Sequence, residues 1–377
     1  MIYLDNAATT LQKPETVHRA VVGAMRSAAA AGRSGHRPAM HAGELVFTCR
    51  EAVAHLFGLT DCERVVFTLN ATHALNLAIH ALCDQKTVVA MTGYEHNSVV
   101  RPIVARGNRY IVLQSPLFDQ DAMLAAAEHA IEEGATLFIV NHVSNVFGAV
   151  APLHELDRLL AAKQIPMILD ASQSAGILDI DVRTLPSVAA VCMPGHKALY
   201  GPQGTGVLLA LSDAMTRPLL QGGTGSLSSE MRQPNFLPDR FESGTLNAPG
   251  IAGLREGVRF VTYAEPSAIL RHERRLLHTL ITGLRKIEGC EVFAAPDERL
   301  QAGVLSIRQE GISCDDIGQA LAACGTCVRT GVHCAPLAHQ SAGTFDTGTV
   351  RLSVCYWNTH EEITDFLQQY QEIVINN

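Results

Sequence analysis

The 377-residue sequence holds one tryptophan, 5% aromatic residues and 18% charged residues, and its formal charge is −8. With no basic stripe and no aromatics interleaved in one, a nucleic-acid surface is disfavoured. No uninterrupted apolar run approaches the roughly 18–20 residues that span a bilayer. Met1-Ile-Tyr-Leu-Asp lacks the basic start of a secretion signal, so the expected setting is the cytoplasm, away from membranes. The ten cysteines, at 49, 62, 83, 192, 290, 314, 324, 327, 334 and 355, form no disulfide framework, and most are expected to be reduced core residues. Cys324-Gly-Thr-Cys327 has CxxC spacing without a matching second pair, so no metal site is expected.

What is present is a hydrophobic content of 47% in a chain longer than one core usually supports. Two domains are expected: a large one over 14–262, and a small one made of 1–13 and 263–377. Pro14 and Gly32 bracket a helix over 14–31, and a second helix runs through 42–57. Short apolar runs follow at 65–69, 87–91, 110–113, 137–140, 167–169 and 188–191, separated mainly by helical stretches. Such runs suit strands buried on both faces, hence an α/β fold with a largely parallel sheet. Helical patterns at 248–263 and 266–288 then lead to a tail with strands at 290–294, 303–308, 326–329 and 349–354 and helices near 315–323 and 360–374.

Ligands of open α/β sheets bind beyond the carboxyl ends of the strands, where Asn70, Thr72, His96, Asn145, Asp170 and Lys197 all fall. Asp170 ends one apolar run and Lys197 follows the next. That pairing suggests pyridoxal phosphate, which needs an amine for a Schiff base and a carboxylate to keep its pyridine nitrogen protonated. Alone, Asp170 reads as an N-cap or a salt-bridge partner and Lys197 as a solvated lysine, although its place between Gly195-His196 and the Gly201–Gly206 loop suits a solvated helical face poorly. Thr72, before a helical pattern, suits an anion site or an ordinary cap, and His96 suits ring stacking or mere exposure. Gly201-x-x-Gly204-x-Gly206 leads into a strand at Val207, unlike a dinucleotide fingerprint. Cys334 sits on a loop beside His333 and near Arg329, an accessible electropositive setting that favours a reactive thiolate. Arg351 suits a carboxylate clamp or a structural salt bridge.

Tyr3-Leu-Asp-Asn-Ala-Ala-Thr-Thr, Tyr94-Glu-His-Asn, His142-Val-Ser-Asn-Val-Phe-Gly, Asp170-Ala-Ser-Gln, Gly195-His-Lys, Phe241-Glu-Ser-Gly-Thr and Arg329-Thr-Gly-Val-His-Cys-Ala together resemble the cysteine desulfurases. The resemblance is closest to group II, with the SUF-type enzymes and selenocysteine lyase relatives, in the class V aminotransferase fold family. It covers nearly the whole chain. It implies the fold type I of pyridoxal-phosphate transferases, with a mainly parallel seven-stranded sheet and a small α+β domain carrying the cysteine loop. It makes Lys197 the Schiff-base lysine, Asp170 the pyridinium partner, His96 the stacking histidine, Gln173 a donor to the cofactor, and Thr72 and His196 phosphate ligands. Thr245 is expected to reach the phosphate of a partner subunit in a homodimer. His36, Asn145, Arg329 and Arg351 are expected at the substrate, with Cys334 the sulfur-accepting nucleophile. The implied activity converts L-cysteine to L-alanine, leaving a persulfide on Cys334 for a thiol or protein acceptor. Selenocysteine lyase, cystine or cysteine-conjugate β-lyase, and a non-catalytic sulfur-relay scaffold are the alternatives. Pro194, Ala71, His73 and Val332 depart from the SUF-type pattern, and the stretch between Gly223 and Phe241 is shorter than its hairpin.

Overall fold

The computed structural model describes residues 1–32 and 34–376. A two-residue strand β1 (Ile2–Tyr3) precedes helices α1 (Glu15–Ser27) and α2 (Arg37–Leu56). Seven strands follow: β2 (Val65–Thr68), β3 (Val89–Thr92), β4 (Tyr110–Leu113), β5 (Leu137–Asn141), β6 (Met167–Asp170), β7 (Val188–Pro194) and β8 (Gly206–Ala210). Helices α3 (Ala71–Leu82), α4 (Asn97–Arg106), α5 (Gln120–Glu132) and α6 (Leu153–Ala162) lie in their connections. The strands form one sheet in the order β2-β8-β7-β6-β5-β3-β4. β8 is antiparallel to both neighbours and the remaining pairs are parallel. Alternation along each strand feeds two cores: on β5, Phe138 and Val140 join one, while Leu137 and Ile139 join the other. Both faces being buried explains why these segments read as continuous apolar runs.

Helices α7 (Ala248–Ala264) and α8 (Pro266–Leu284) lead to β9 (Cys290–Phe293), β10 (Val304–Gln309), α9 (Cys314–Ala323), β11 (Thr326–Cys327), β12 (Arg329–Gly331), α10 (Pro336–Ser341), β13 (Thr349–Ser353) and α11 (His360–Ile375). An antiparallel sheet in the order β12-β13-β10-β9 packs Leu305, Ile307, Val350 and Leu352 against Leu276 and Leu280 of α8 and Phe366 and Tyr370 of α11. β1 pairs in parallel with β11, so the first residues of the chain are sewn to its last third.

Several boundaries differ from the sequence reading. α1 stops at Ser27, not 31, because Ala28 is extended and the next amide, Ala29 N–H, donates to Pro38 O at 3.0 Å. That tertiary bond overrides the helix preference of four successive alanines. α2 begins five residues before the expected 42, with His36 as its cap and Pro38 in its first turn, the position where proline loses no hydrogen bond. Residues 326–329 are two strands in two sheets rather than one, and α10, after Cys334, was not anticipated. Of the ten free cysteines only Cys49, Cys83, Cys192 and Cys355 are buried. Four others are half-buried and Cys324 and Cys334 are exposed, so most of the cysteines are not core residues. No helix among the described residues is long and apolar enough to cross a membrane.

Candidate active site

The parallel strands end on one side of the sheet, and their carboxyl ends surround a cavity of about 190 Å³. Asn70, Thr72, His96, Asn145, Asp170 and Lys197 all line it, as do Gln173 and His196. A larger cavity of about 640 Å³ beside β10 and the start of α9 contains none of these residues. Chemistry rather than volume marks the site.

Asp170 is buried at the end of β6, and Oδ1 accepts the Ser172 N–H at 2.9 Å. Burial raises its carboxyl above the usual range, opposed by hydrogen bonds from Ser172 and by the charge of Lys197. Lys197, just past β7, is pushed down to about 8 by burial, with Asp170 acting in the opposite direction. Its main-chain oxygen accepts Thr10 Oγ1–H at 2.6 Å, which ties the lysine to the N-terminal segment. An amine lowered to about 8 has a larger free-base fraction near neutrality than an ordinary lysine, which makes it a better nucleophile and base.

His96 caps α4 through Nδ1, which accepts the Ser98 N–H at 3.0 Å. Burial, then the charges of Lys197 and Arg329, lower its pKa to about 4, so the ring is neutral at pH 7. At the start of α3 the cap is Asn70, whose side chain takes the His73 N–H. Thr72 is thereby left free of capping, and its Oγ1 lies 2.7 Å from Ser98 Oγ. Ser98 Oγ is also 2.9 Å from His96 Nδ1. Ser98, two residues after His96 and not among the residues expected from the sequence, lines the cavity too. Pro194 and Ala71 line it without hydroxyls, whereas Ser98 contributes one to the lining. His196 Nδ1 sits 3.0 Å from Thr9 Oγ1, and burial lowers its pKa to about 4. Gln173 donates one amide hydrogen to Ala7 O at 2.9 Å, which orients the side chain and leaves its second N–H unassigned.

The remaining expected residues stand outside this lining. Arg351 is 2% exposed and donates from Nη2 to Asp5 and from Nη1 to Asn145 O at 3.0 Å, so it is a buried salt bridge in this structure. Arg329 opens β12 and its charge is felt at both His96 and Lys197. Cys334 is exposed, and the loop bearing it is held by Asn97 N–H donating to Cys334 O at 2.8 Å and by Asn145 Nδ2 donating to His333 O at 2.9 Å. His333 and Cys334 both adopt left-handed φ, 49° and 58°, an uncommon conformation for residues other than glycine. His36 is exposed and caps α2, so within one chain it is a helix cap and not a wall of the cavity. Thr245 is exposed on a separate cavity of about 80 Å³ that it shares with His73 and Asn247.

These residues fit pyridoxal phosphate. A buried carboxylate and a lysine amine of lowered pKa face one cavity, with the amide-bearing start of α3 and the Thr72, Ser98 pair on its wall. Residues 2–366 match the family model described as aminotransferase class-V. The chain belongs to that family. A probable cysteine desulfurase of Methanothermobacter thermautotrophicus is 31% identical, over 99% of this chain and 94% of the relative. The apo structure of a cysteine desulfurase from Thermococcus onnurineus superposes with a TM-score of 0.92 at 30% identity, covering 100% of this chain and 95% of the other. The cysteine desulfurase CsdA of Escherichia coli, in an S-sulfonic acid form, superposes with a TM-score of 0.85 at 25% identity, over 99% and 94% of the two chains. As a class-V aminotransferase family member the chain has the pyridoxal-phosphate fold type I, with the seven-stranded sheet of its neighbours.

Proposed function

We propose that the protein is a pyridoxal-phosphate-dependent cysteine desulfurase. The observation that carries this is the convergence of Asp170 and Lys197 on one cavity, with the exposed Cys334 loop hydrogen-bonded to Asn97, beside His96. When bound, the cofactor supplies a ring that accepts the electron pair left at Cα. Lys197 Nζ would take the Cα proton of L-cysteine, Asp170 would keep the ring nitrogen of the cofactor protonated, and the neutral His96 would serve as its stacking residue. Thr72, Ser98 and His196 would hold the phosphate, and Gln173 would donate to the ring oxygen. Arg351, Arg329 and Asn145 receive the substrate carboxylate. Cys334 Sγ, as thiolate, attacks the substrate sulfur; the C–S bond breaks, Cα and Cβ end protonated, and alanine leaves with a persulfide on Cys334.

The relatives and neighbours named cysteine desulfurases support this reading over selenocysteine lyase or a non-catalytic relay. The hydrogen bonds at His333 and Cys334 and helix α10 restrain the loop, so an acceptor thiol, small or on a protein, has to come to it. A homodimer is supported by the apolar surface of α1 and α2, where Val22, Met25, Met40 and Phe47 are exposed, and by Thr245, which lies outside the lining of the Asp170–Lys197 cavity of its own chain. The proposal includes the division into a 14–262 domain and a 1–13 plus 263–377 domain, and a cytoplasmic setting. L-cysteine and L-selenocysteine assayed side by side, with alanine quantified and Cys334 examined by mass spectrometry, test it. Alanine from cysteine with one added sulfur on Cys334 is expected; alanine from selenocysteine alone would replace this reading with the lyase.

A further inference from the structure

Glu95, between β3 and His96, is completely buried. Its Oε1 accepts two hydrogen bonds at 2.7 Å, from Thr92 Oγ1 and from Asn141 N–H. Its Oε2 has no partner, and neither has Asn141 Oδ1; both atoms are sealed from solvent. Asn141, whose N–H is bonded to Glu95, stands opposite Asp170 in the β5–β6 register, so the two carboxyl groups flank the end of β5 from either side, and the charge of Asp170 acts on Glu95. A buried carboxylate with one naked oxygen and a second carboxylate beside it is strongly disfavoured. A neutral acid in the same place has an O–H to give, and Asn141 Oδ1, on the residue whose N–H Glu95 already holds, is an acceptor in want of a donor.

We propose that Glu95 is the protonated member of a carboxyl pair with Asp170, a positioning residue that leaves Asp170 as the one negative charge offered to a pyridine nitrogen in the cavity. The inference rests on the cofactor assignment above for its purpose, though not for its chemistry. Burial first and the field of Asp170 second push the Glu95 carboxyl up to about 8, in agreement with the geometry. The surrounding titratable groups are consistent with this. Lys197 acts on Asp170, Cys192 on β7 feels Asp170, and His142 just past β5 and His96 are both held neutral by burial. No cation acts on Glu95 itself among its main influences. Restricting the charge to one carboxylate matters, because two would draw a proton onto Asp170 and take away its role as an acceptor.

The test uses Glu95→Gln, a neutral isostere that retains an oxygen for both hydrogen bonds and an N–H for the orphaned acceptor. In cofactor-free protein at pH 7, infrared spectra should show a protonated-carboxyl band that Glu95→Gln lacks. Because folding raises this carboxyl from 4.5 to about 8, the wild type should lose stability relative to Glu95→Gln as pH rises through that window. The ratio of their folding constants is expected to change on the order of tenfold per pH unit there and to level off above it. Pyridoxal phosphate affinity at pH 7 should stay within about threefold of wild type, since no hydrogen bond is lost. A flat ratio with no such band means that Glu95 is ionised and overturns the proposal. If Glu95→Gln does not fold, the pH at which the wild-type band disappears decides alone: near 8 supports the pair, near 4.5 overturns it. Failure of the wild type to bind pyridoxal phosphate would remove the cofactor assignment while leaving the carboxyl result to stand by itself.

Discussion

Arg351 Nη2 donates to Asp5 Oδ1 at 2.6 Å, while Arg351 Nε is buried without a partner. A carboxylate of the protein thus already occupies the arginine expected to receive the carboxylate of the substrate. Asp5→Asn leaves a charge buried and uncompensated, and it should cost about 3 kcal/mol, the low end for breaking a buried pair. The Asp5 side chain keeps 21% exposure, which places it at that low end. The product L-alanine brings a carboxylate of its own, so it should raise the melting temperature of Asp5→Asn more than that of wild type. Thermal melts of both proteins with and without alanine decide this; equal shifts would mean that Arg351 does not meet the ligand.

Loading of the cofactor should follow the protonation of Lys197. Its amine is lowered to about 8, chiefly by burial, so the free base grows as pH rises through that value. The initial rate of colour development on adding pyridoxal phosphate should therefore increase from pH 6 to 8 and flatten above it. In Lys197→Ala, borohydride should fix no cofactor to the chain, which mass spectrometry reads directly.

Cys334 is held at φ 58°, where a side chain costs roughly 1–2 kcal/mol that glycine does not incur. Cys334→Gly should be inactive in sulfur transfer from cysteine and yet more stable than Cys334→Ala by about 1 kcal/mol. Paired denaturation curves check the stability. Rapid-quench measurement checks the chemistry, with a burst of alanine in wild type, followed by a rate that rises with added thiol, and no burst in either variant.

Ser98→Ala removes the hydroxyl that joins Thr72 to His96. We expect pyridoxal phosphate to bind about fivefold more weakly, corresponding to about 1 kcal/mol for one hydrogen bond. Ser98→Thr should restore most of the affinity, and a fluorescence titration of both variants measures it.

The cavity was legible because a parallel sheet gathers its strand ends: Thr72, His96, Asp170 and Lys197 each follow an apolar run and therefore arrive together. What pairs across the chain was not. Asp5 and Arg351 are 346 positions apart, and no local pattern announces that they meet. Glu95 was within reach, as a lone carboxyl after a fully buried strand, but its burial depends on β5 and β6. The start of α2 at Arg37 carried the signal of Pro38, and the α1 boundary carried none, since it is set by a bond to Pro38 O.

The pairing of β1 with β11 has a consequence for the order in which the protein matures. Leu4 N–H donates to Cys327 O, and Asn6 donates to Ser353 O at 2.9 Å, so the partners of residues made first are among those made last. The segment from Tyr3 to Asn6 must wait for these late partners while the seven-stranded sheet forms. Thr10 then comes down on the main chain of Lys197, and Asp5 on Arg351. A ribosome-bound chain lacking its last fifth should hold a folded sheet and an unfinished lysine, competent to bury apolar side chains before it is competent to react.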